Sequence, residues 1–97
     1  MAGLRFEWDP RKAAANLAKH GVAFEEAATA FADEAGLVLE DPDHSAVERR
    51  FVLIGLSAEL RVLVVVHCLR ERGEIIRLIS ARRANQRERI QYRGRNP

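Results

Sequence analysis

Arginine is concentrated in the second half of this chain, and its side chain is well suited to bind phosphate. Residues 49–97 contain twelve arginines, four glutamates and no lysine, a net charge of +8, whereas residues 1–48 carry four basic and ten acidic residues, a net charge of −6. The planar guanidinium group binds phosphate through two hydrogen bonds and stacks on bases, whereas lysine acts as a point charge. The second half therefore predicts a surface for RNA or DNA, and an arginine-rich solvated surface is the alternative.

The last predicted strand carries the best candidates for stabilising charge on a phosphate. The final 21 residues contain seven arginines and a single acidic residue. Arg77 lies between Ile75 and Ile79 at strand period, where a charge is rare unless it is paired or functional. Arg82 and Arg83 end the same strand, where they can meet an RNA backbone without burial. The alternative for Arg77 is an edge position whose apolar stem packs while its charged end reaches solvent.

His67 is the candidate for proton transfer, because an unperturbed imidazole titrates near pH 6.5. It ends the third predicted strand, and it lies close to Arg77 if the strand register sets the two opposite each other. A structural hydrogen-bonding role is the alternative. Ser80 alternates with Arg82 and is a candidate donor to the same phosphate, or to a nearby carbonyl.

Three polar residues recur every fourth position on the first predicted helix, namely Lys12, Asn16 and His20. This face is expected to form one wall of an RNA cleft, with capping and solvent exposure as the alternative. The complete set of candidate RNA-binding residues is Lys12, His20, Arg50, Ser80 and Arg87.

We expect no metal or other cofactor. The single cysteine, Cys68, excludes paired zinc-site spacing. His44 with Asp41 and Asp43 is interpreted as a turn instead of a metal site.

Two helices are predicted in the first third of the chain. Asp9 as N-cap, with Pro10 in the first helical position, begins a helix that Gly21 ends. A second, short helix follows the poorly capped Ala23. The residues expected to face inward are Ala14, Leu17 and Ala18 in the first helix, and Phe24, Ala27, Ala28 and Phe31 in the second.

Four strands and a last helix at about residues 85–92 are predicted after Gly36, which gives an α+β fold in the order ααββββα. Short turns make the last three strands an antiparallel meander in a four-stranded antiparallel sheet packed by helices. The apolar run from Val62 to Val66 predicts a central strand. The predicted strands are Leu37 to Leu39, Phe51 to Leu56, Val62 to Cys68 and Ile75 to Ala81.

The order and spacing of several short motifs resemble the BrnT family of toxins over about residues 6–93. The motifs are Phe6-Glu7-Trp8-Asp9-Pro10-Arg11-Lys12, Lys19-His20-Gly21-Val22, Phe24-Glu25-Glu26-Ala27, Asp41-Pro42-Asp43-His44, Ile54-Gly55-Leu56-Ser57, Leu63-Val64-Val65-Val66-His67 and Ile76-Arg77-Leu78-Ile79-Ser80-Ala81-Arg82-Arg83-Ala84.

This resemblance implies a type II toxin with a RelE-like fold and an endoribonuclease activity that inhibits translation. Such an enzyme cleaves RNA by attack of a ribose 2′-OH on the adjacent phosphate, a reaction that needs a base, an acid and cations and does not require a metal. It also implies a BrnA-like antitoxin, a heterotetramer built around an antitoxin dimer, and contact with operator DNA only through that antitoxin. The alternatives from the residues alone are a noncatalytic RNA/DNA-binding module that uses the C-terminal arginine surface, and a pure interaction protein whose arginines meet an acidic partner.

The length of 97 residues predicts one domain, spanning residues 1–97, with enough apolar material for a core of its own. The longest apolar run is far shorter than the roughly 20 residues that span a bilayer, and residues 1–10 contain no apolar signal core. We therefore expect no membrane association, and we expect the protein to act in the cytoplasm.

Overall fold

The computed structural model describes residues 3–41 and 48–94 and has an α+β fold with a five-stranded mixed sheet. The strand order is β1-β5-β4-β3-β2, so β4 is central as predicted. Short 3₁₀ turns follow α2, at Ala30–Ala32, and β4, at Glu71–Gly73. The elements are β1 (Arg5–Glu7), α1 (Pro10–His20), α2 (Phe24–Thr29), β2 (Leu37–Asp41), β3 (Arg50–Leu56), β4 (Val62–Arg70), β5 (Ile75–Arg83) and α3 (Gln86–Gly94).

The predicted order ααββββα and the purely antiparallel four-stranded sheet are wrong in one respect, because β1 precedes the first helix. This strand pairs in parallel with β5 and sets Glu7 beside Arg77, whereas the remaining pairs are antiparallel. Three residues are too few to show strand periodicity, and their partner lies about 70 positions away in the chain. Local patterning therefore carried no signal for this pairing.

The ends of α1 follow the predicted capping residues. The Asp9 carboxylate accepts a hydrogen bond from the backbone of Arg11 at 2.8 Å, and Pro10 occupies the first turn. Gly21 ends the helix with a φ of 70°, a left-handed conformation that glycine adopts without steric cost.

The buried side of α1 differs from the prediction. Leu17 is 51% exposed and Ala14 and Ala18 are exposed, whereas Asn16 is only 7% exposed and Ala13 packs on the core. β1 pairs with β5 only as far as Arg77, and among residues 3–41 and 48–94 no other strand pairs with this edge of β5. The Asn16 side chain takes the place of a neighbouring strand at this edge.

The Asn16 amide bonds with both backbone groups of Ala81, donating to the carbonyl at 2.8 Å and accepting from the N–H at 3.0 Å. It also donates to the Val22 carbonyl at 2.9 Å. One side chain thus joins α1, the loop after it and the open edge of β5.

The inner side of α2 follows the prediction, and it packs against one face of the sheet. Phe24 and Ala27 are fully buried, while Ala28 and Phe31 are partly buried. We call this side of the sheet the core face; it carries Leu53, Leu63, Val65 and Leu78.

The opposite side, which we call the outer face, is covered in part by α3. Ile54 and Val64 lie on it and pack against Ala84, with Tyr92 alongside. The Tyr92 hydroxyl donates to the Asp33 carboxylate at 2.7 Å, which fastens the helix to the segment before β2. Within the described residues, the helices are too short or too polar to cross a membrane.

Candidate catalytic cluster and nucleic-acid interface

An ion pair on the outer face joins β1 to β5. The Arg77 guanidinium donates to the Glu7 carboxylate at 2.8 Å, and this contact raises the pKa of Arg77. The side chains are 30% and 38% exposed respectively, so a ligand can reach both. The pair exists because β1 sets Glu7 directly beside Arg77 in the register with β5.

A second arginine and a second carboxylate extend this pair into a cluster of four charges. Arg70 Nε lies 3.8 Å from the Glu7 carboxylate, and Arg70 Nη2 lies 3.1 Å from the Glu48 carboxylate. Cys68 is opposite Arg77 in the β4–β5 register and is 1% exposed; burial raises the pKa of its thiol. We call Glu7, Glu48, Arg70 and Arg77 the outer-face cluster.

Arg82 lies on the same face as Arg77 but farther along the strand. A β-bulge shifts the β4–β5 register between Val66 and His67, so residues 77 and 82 point to one side although five positions separate them. Arg82 makes two hydrogen bonds of 2.7 Å to the Glu88 carboxylate. This contact raises the pKa of Arg82 and lowers that of Glu88.

Arg83 does not join either group. It is opposite Leu63 in the register and therefore points to the core-face side of the sheet. Because it is the last residue of β5, its side chain is exposed there. The strand thus separates the three arginines that were predicted to act together: Arg77 lies in the outer-face cluster, Arg82 is paired with Glu88, and Arg83 points to the other side.

His67 lies in the core, away from the arginines. It is 4% exposed, pairs with Leu78 on the core face, and packs edge-on against Phe31 with ring centroids 4.8 Å apart. Burial lowers its pKa, and Nδ1 lies 3.2 Å from the Val65 carbonyl. The register thus sets Arg77 opposite Cys68, and the expected meeting of His67 with Arg77 does not occur.

A shallow cationic groove runs between α1 and β5. Its volume is about 230 Å³. Lys12, Lys19 and His20 supply positive or titratable groups along one side, and Ser80 contributes a hydroxyl from the strand. Asn16, which was predicted to join this wall as a ligand-facing residue, is committed to backbone hydrogen bonds beside it.

Two of the predicted RNA-binding residues lie outside the groove. Arg50 begins β3 opposite Asp41 of β2, and Arg87 is exposed on α3. The turn predicted from Asp43 and His44 lies outside the described residues. Within residues 3–41 and 48–94, no group of three or more potential metal ligands comes together.

A comparison with protein-family models finds a match over most of this chain. The family model described as the ribonuclease toxin BrnT of a type II toxin–antitoxin system matches residues 8–88. This chain belongs to the BrnT family. The crystal structure of the Brucella abortus ribonuclease toxin BrnT has the same fold, with a TM-score of 0.66 and 24% identity, and the match covers 87% of this chain and all of that one. Among curated protein sequences, none matches.

Membership makes this BrnT-family chain a ribonuclease toxin of a type II system, and it implies an antitoxin partner. Arg77 was predicted from the sequence as a site residue, but its neighbours Glu7, Glu48 and Arg70 were not. Phe6 and Trp8 pack on the core while Glu7 points outward, but an alternation over three residues is too short to indicate a strand in the sequence.

Proposed function

We propose that this toxin is a metal-independent endoribonuclease that cleaves RNA through attack of a ribose 2′-OH, and that Glu7 and Arg77 act at the scissile phosphate. The observation that carries the proposal is the ion pair of these two residues on the accessible outer face, with Arg70 beside it. A carboxylate held next to two guanidinium groups combines a proton acceptor with two phosphate ligands.

In the proposed step, Glu7 accepts the proton of the 2′-OH while the 2′-oxygen forms a bond to phosphorus. Arg77 and Arg70 turn toward the phosphate and stabilise the negative charge that develops on its oxygens. The bond from phosphorus to the 5′-oxygen then breaks, and that oxygen takes a proton from water. The products are a 2′,3′-cyclic phosphate and a 5′-hydroxyl end.

The cationic groove supports an adjoining binding role. Ser80 is three residues along β5 from Arg77, about 10 Å at the rise of a strand, and both point to the outer face. Lys12, Lys19 and His20 surround the same groove. We assign them to phosphates next to the scissile one, because contacts to the backbone position a strand without reading its sequence.

His67 has no proton-transfer role in this proposal. A buried imidazole on the core face that packs against Phe31 acts in folding, and its lowered pKa keeps it neutral at pH 7. Arg82 is bound by Glu88, so it would meet RNA only by exchanging that partner.

The partner in this proposal is a BrnA-like antitoxin, assembled with the toxin as a heterotetramer around an antitoxin dimer. Contact with operator DNA belongs to the antitoxin, and the toxin acts in the cytoplasm, where inhibition of translation follows from RNA cleavage. The support is family membership in a type II system.

The test is cleavage of a defined RNA in EDTA by protein freed of its partner. We expect Glu7→Gln to lower the rate about 10²- to 10⁴-fold, and Arg77→Ala to lower it about 10²- to 10³-fold. The matched controls are Glu74→Gln and Arg72→Ala in the exposed β4–β5 turn, and these should cleave at the wild-type rate.

The second part of the test identifies the chemical groups at the ends of the RNA products. Wild-type product ends other than 2′,3′-cyclic phosphate and 5′-hydroxyl would exclude the 2′-OH step, and activity only with added metal would exclude metal independence. Full activity in Glu7→Gln would remove this residue from the site. Binding of intact RNA with steep salt dependence and no cleavage would favour a noncatalytic binding module.

A further inference from the structure

Leu60, at the tip of the β3–β4 hairpin, has an exposure that packing of the core does not explain. Its φ is 63°, in the left-handed region that leucine disfavours, and it is 79% exposed. The turn holds it there, since its backbone N–H donates to the Ser57 carbonyl at 2.9 Å. A large apolar side chain displayed at such a position contributes little to the core, so its role is to be sought outside the chain.

Leu60 forms the rim of a pocket between the hairpin and the start of α3. The pocket has a volume of about 330 Å³. It combines three apolar residues with three arginines, and no aromatic residue lines it. The lining residues are Leu60, Arg61, Val62, Arg83, Ala84 and Arg89.

Two of these arginines form no ion pair with the described residues. Arg61 forms an ion pair with the buried Glu26 carboxylate, whereas Arg83 and Arg89 make no ion pair within residues 3–41 and 48–94. Arg89 donates to the Ala84 carbonyl at 2.7 Å, which fixes its guanidinium at the pocket. The pocket therefore complements a ligand that presents carboxylates next to an apolar side chain.

We propose that this pocket is a docking site for the antitoxin, and that it takes an extended acidic segment whose apolar side chain packs on Leu60 while its carboxylates meet Arg83 and Arg89. Exposed apolar residues together with arginines are typical of protein interfaces, whereas single-stranded RNA is usually bound by stacking on aromatic rings. The proposal rests on the antitoxin partner of the proposed function and not on the catalytic role of Glu7.

The pocket lies at the opposite end of β5 from the outer-face cluster. Six residues separate Arg83 from Arg77, about 20 Å at the rise of a strand. Docking at the pocket would hold the partner there without requiring contact with Glu7 or Arg77, so antitoxin affinity and RNA cleavage can be changed separately.

The experiment measures the affinity of the full-length toxin for its cognate antitoxin, purified separately, by titration calorimetry. Leu60→Asn keeps a residue type that tolerates the left-handed conformation, and Arg89→Gln removes one charge. We expect each to weaken binding about 30-fold, the effect of losing an interface hot spot. Leu17→Gln, at a leucine of 51% exposure on α1, and Arg93→Gln, on the same helix as Arg89, should bind within a factor of about three of wild type.

Cleavage of a defined RNA by the same proteins completes the test. Leu60→Asn should cleave at the wild-type rate, while Glu7→Gln should bind antitoxin like wild type. Wild-type antitoxin affinity in both pocket variants would overturn the proposal, as would a loss of RNA affinity in Arg89→Gln without a loss of antitoxin affinity. If the wild type does not cleave RNA, the proposed function fails, while the antitoxin affinities still decide the docking site.

Discussion

Asn16→Ala should destabilise the protein far more than Leu17→Ala, although the two positions are adjacent on α1. Asn16 makes three buried hydrogen bonds, two to the backbone of Ala81 and one to the Val22 carbonyl. At about 0.5–1.5 kcal/mol each, their loss costs about 1.5–4.5 kcal/mol, and the upper half applies because both backbone groups of Ala81 would remain buried without partners. We therefore expect about 3 kcal/mol.

Urea denaturation measures this difference directly. With a slope of about 2 kcal/mol/M, a loss of about 3 kcal/mol lowers the midpoint by about 1.5 M. Leu17 is 51% exposed, so Leu17→Ala should change the free energy of unfolding by no more than about 0.5 kcal/mol. Asn16→Asp adds a check on mechanism, since it keeps the acceptor for the Ala81 N–H but loses the donor to the two carbonyls, and it should be at least as destabilising as alanine.

Equal midpoints for Asn16→Ala and wild type would refute the reasoning. A large loss of stability in Leu17→Ala with none in Asn16→Ala would support the predicted orientation of α1, in which its apolar residues face inward. A stable Asn16→Asp would show that the donor bonds carry little free energy.

Further predictions concern two other polar contacts. Arg61→Leu leaves the carboxylate of Glu26 buried without its cation, so the free energy of unfolding in urea should fall by about 3 kcal/mol, the lower end of the usual range because Arg61 is partly exposed. The Arg61 contact lowers the pKa of Glu26 below 4.5, so the ionised carboxylate stabilises the fold above that pH. This contribution to the free energy of unfolding should be lost as the pH falls through the lowered pKa. The free energy of unfolding of Glu26→Gln should depend less on pH over the same range. The hydrogen bond to Asp33 raises the pKa of Tyr92 to about 12. Because Tyr92 is the sole tyrosine of the chain, an ultraviolet titration should measure its pKa alone, and this pKa should move toward 10 in Asp33→Asn. A pKa near 10 in the wild type would contradict the contact.

Capping residues and hairpins were predicted well from the sequence because their causes are local. Asp9, Pro10 and Gly21 fix the ends of α1 by hydrogen bonding and backbone geometry within a few residues. The β-branched run in β4 predicted a central strand for the same reason, since a strand buried on both sides needs apolar residues at consecutive positions.

The buried side of α1, the faces of β5 and the pairing of β1 could not be predicted, because they depend on contacts between residues far apart in the sequence. The alanines around Asn16 gave the faces of α1 little difference in hydrophobicity. The open edge of β5 against which Asn16 is buried exists only after the sheet has formed. The bulge near Val66 decided which face Arg77 lies on, so it separated His67 from Arg77. Arg82 and Arg83 point to opposite faces because they are consecutive residues of one strand. Glu7 was missed because its partner strand is distant in the chain.

The distance between Glu7 and Arg77 along the chain also sets when the proposed site can form during protein synthesis. The ribosome makes Glu7 70 positions before Arg77, and β1 cannot pair with β5 until β5 has emerged. Such a non-local pairing is among the last to be made. A chain that stops before β5 would therefore carry Glu7, the proposed proton acceptor, without Arg77, and it could not form the proposed site.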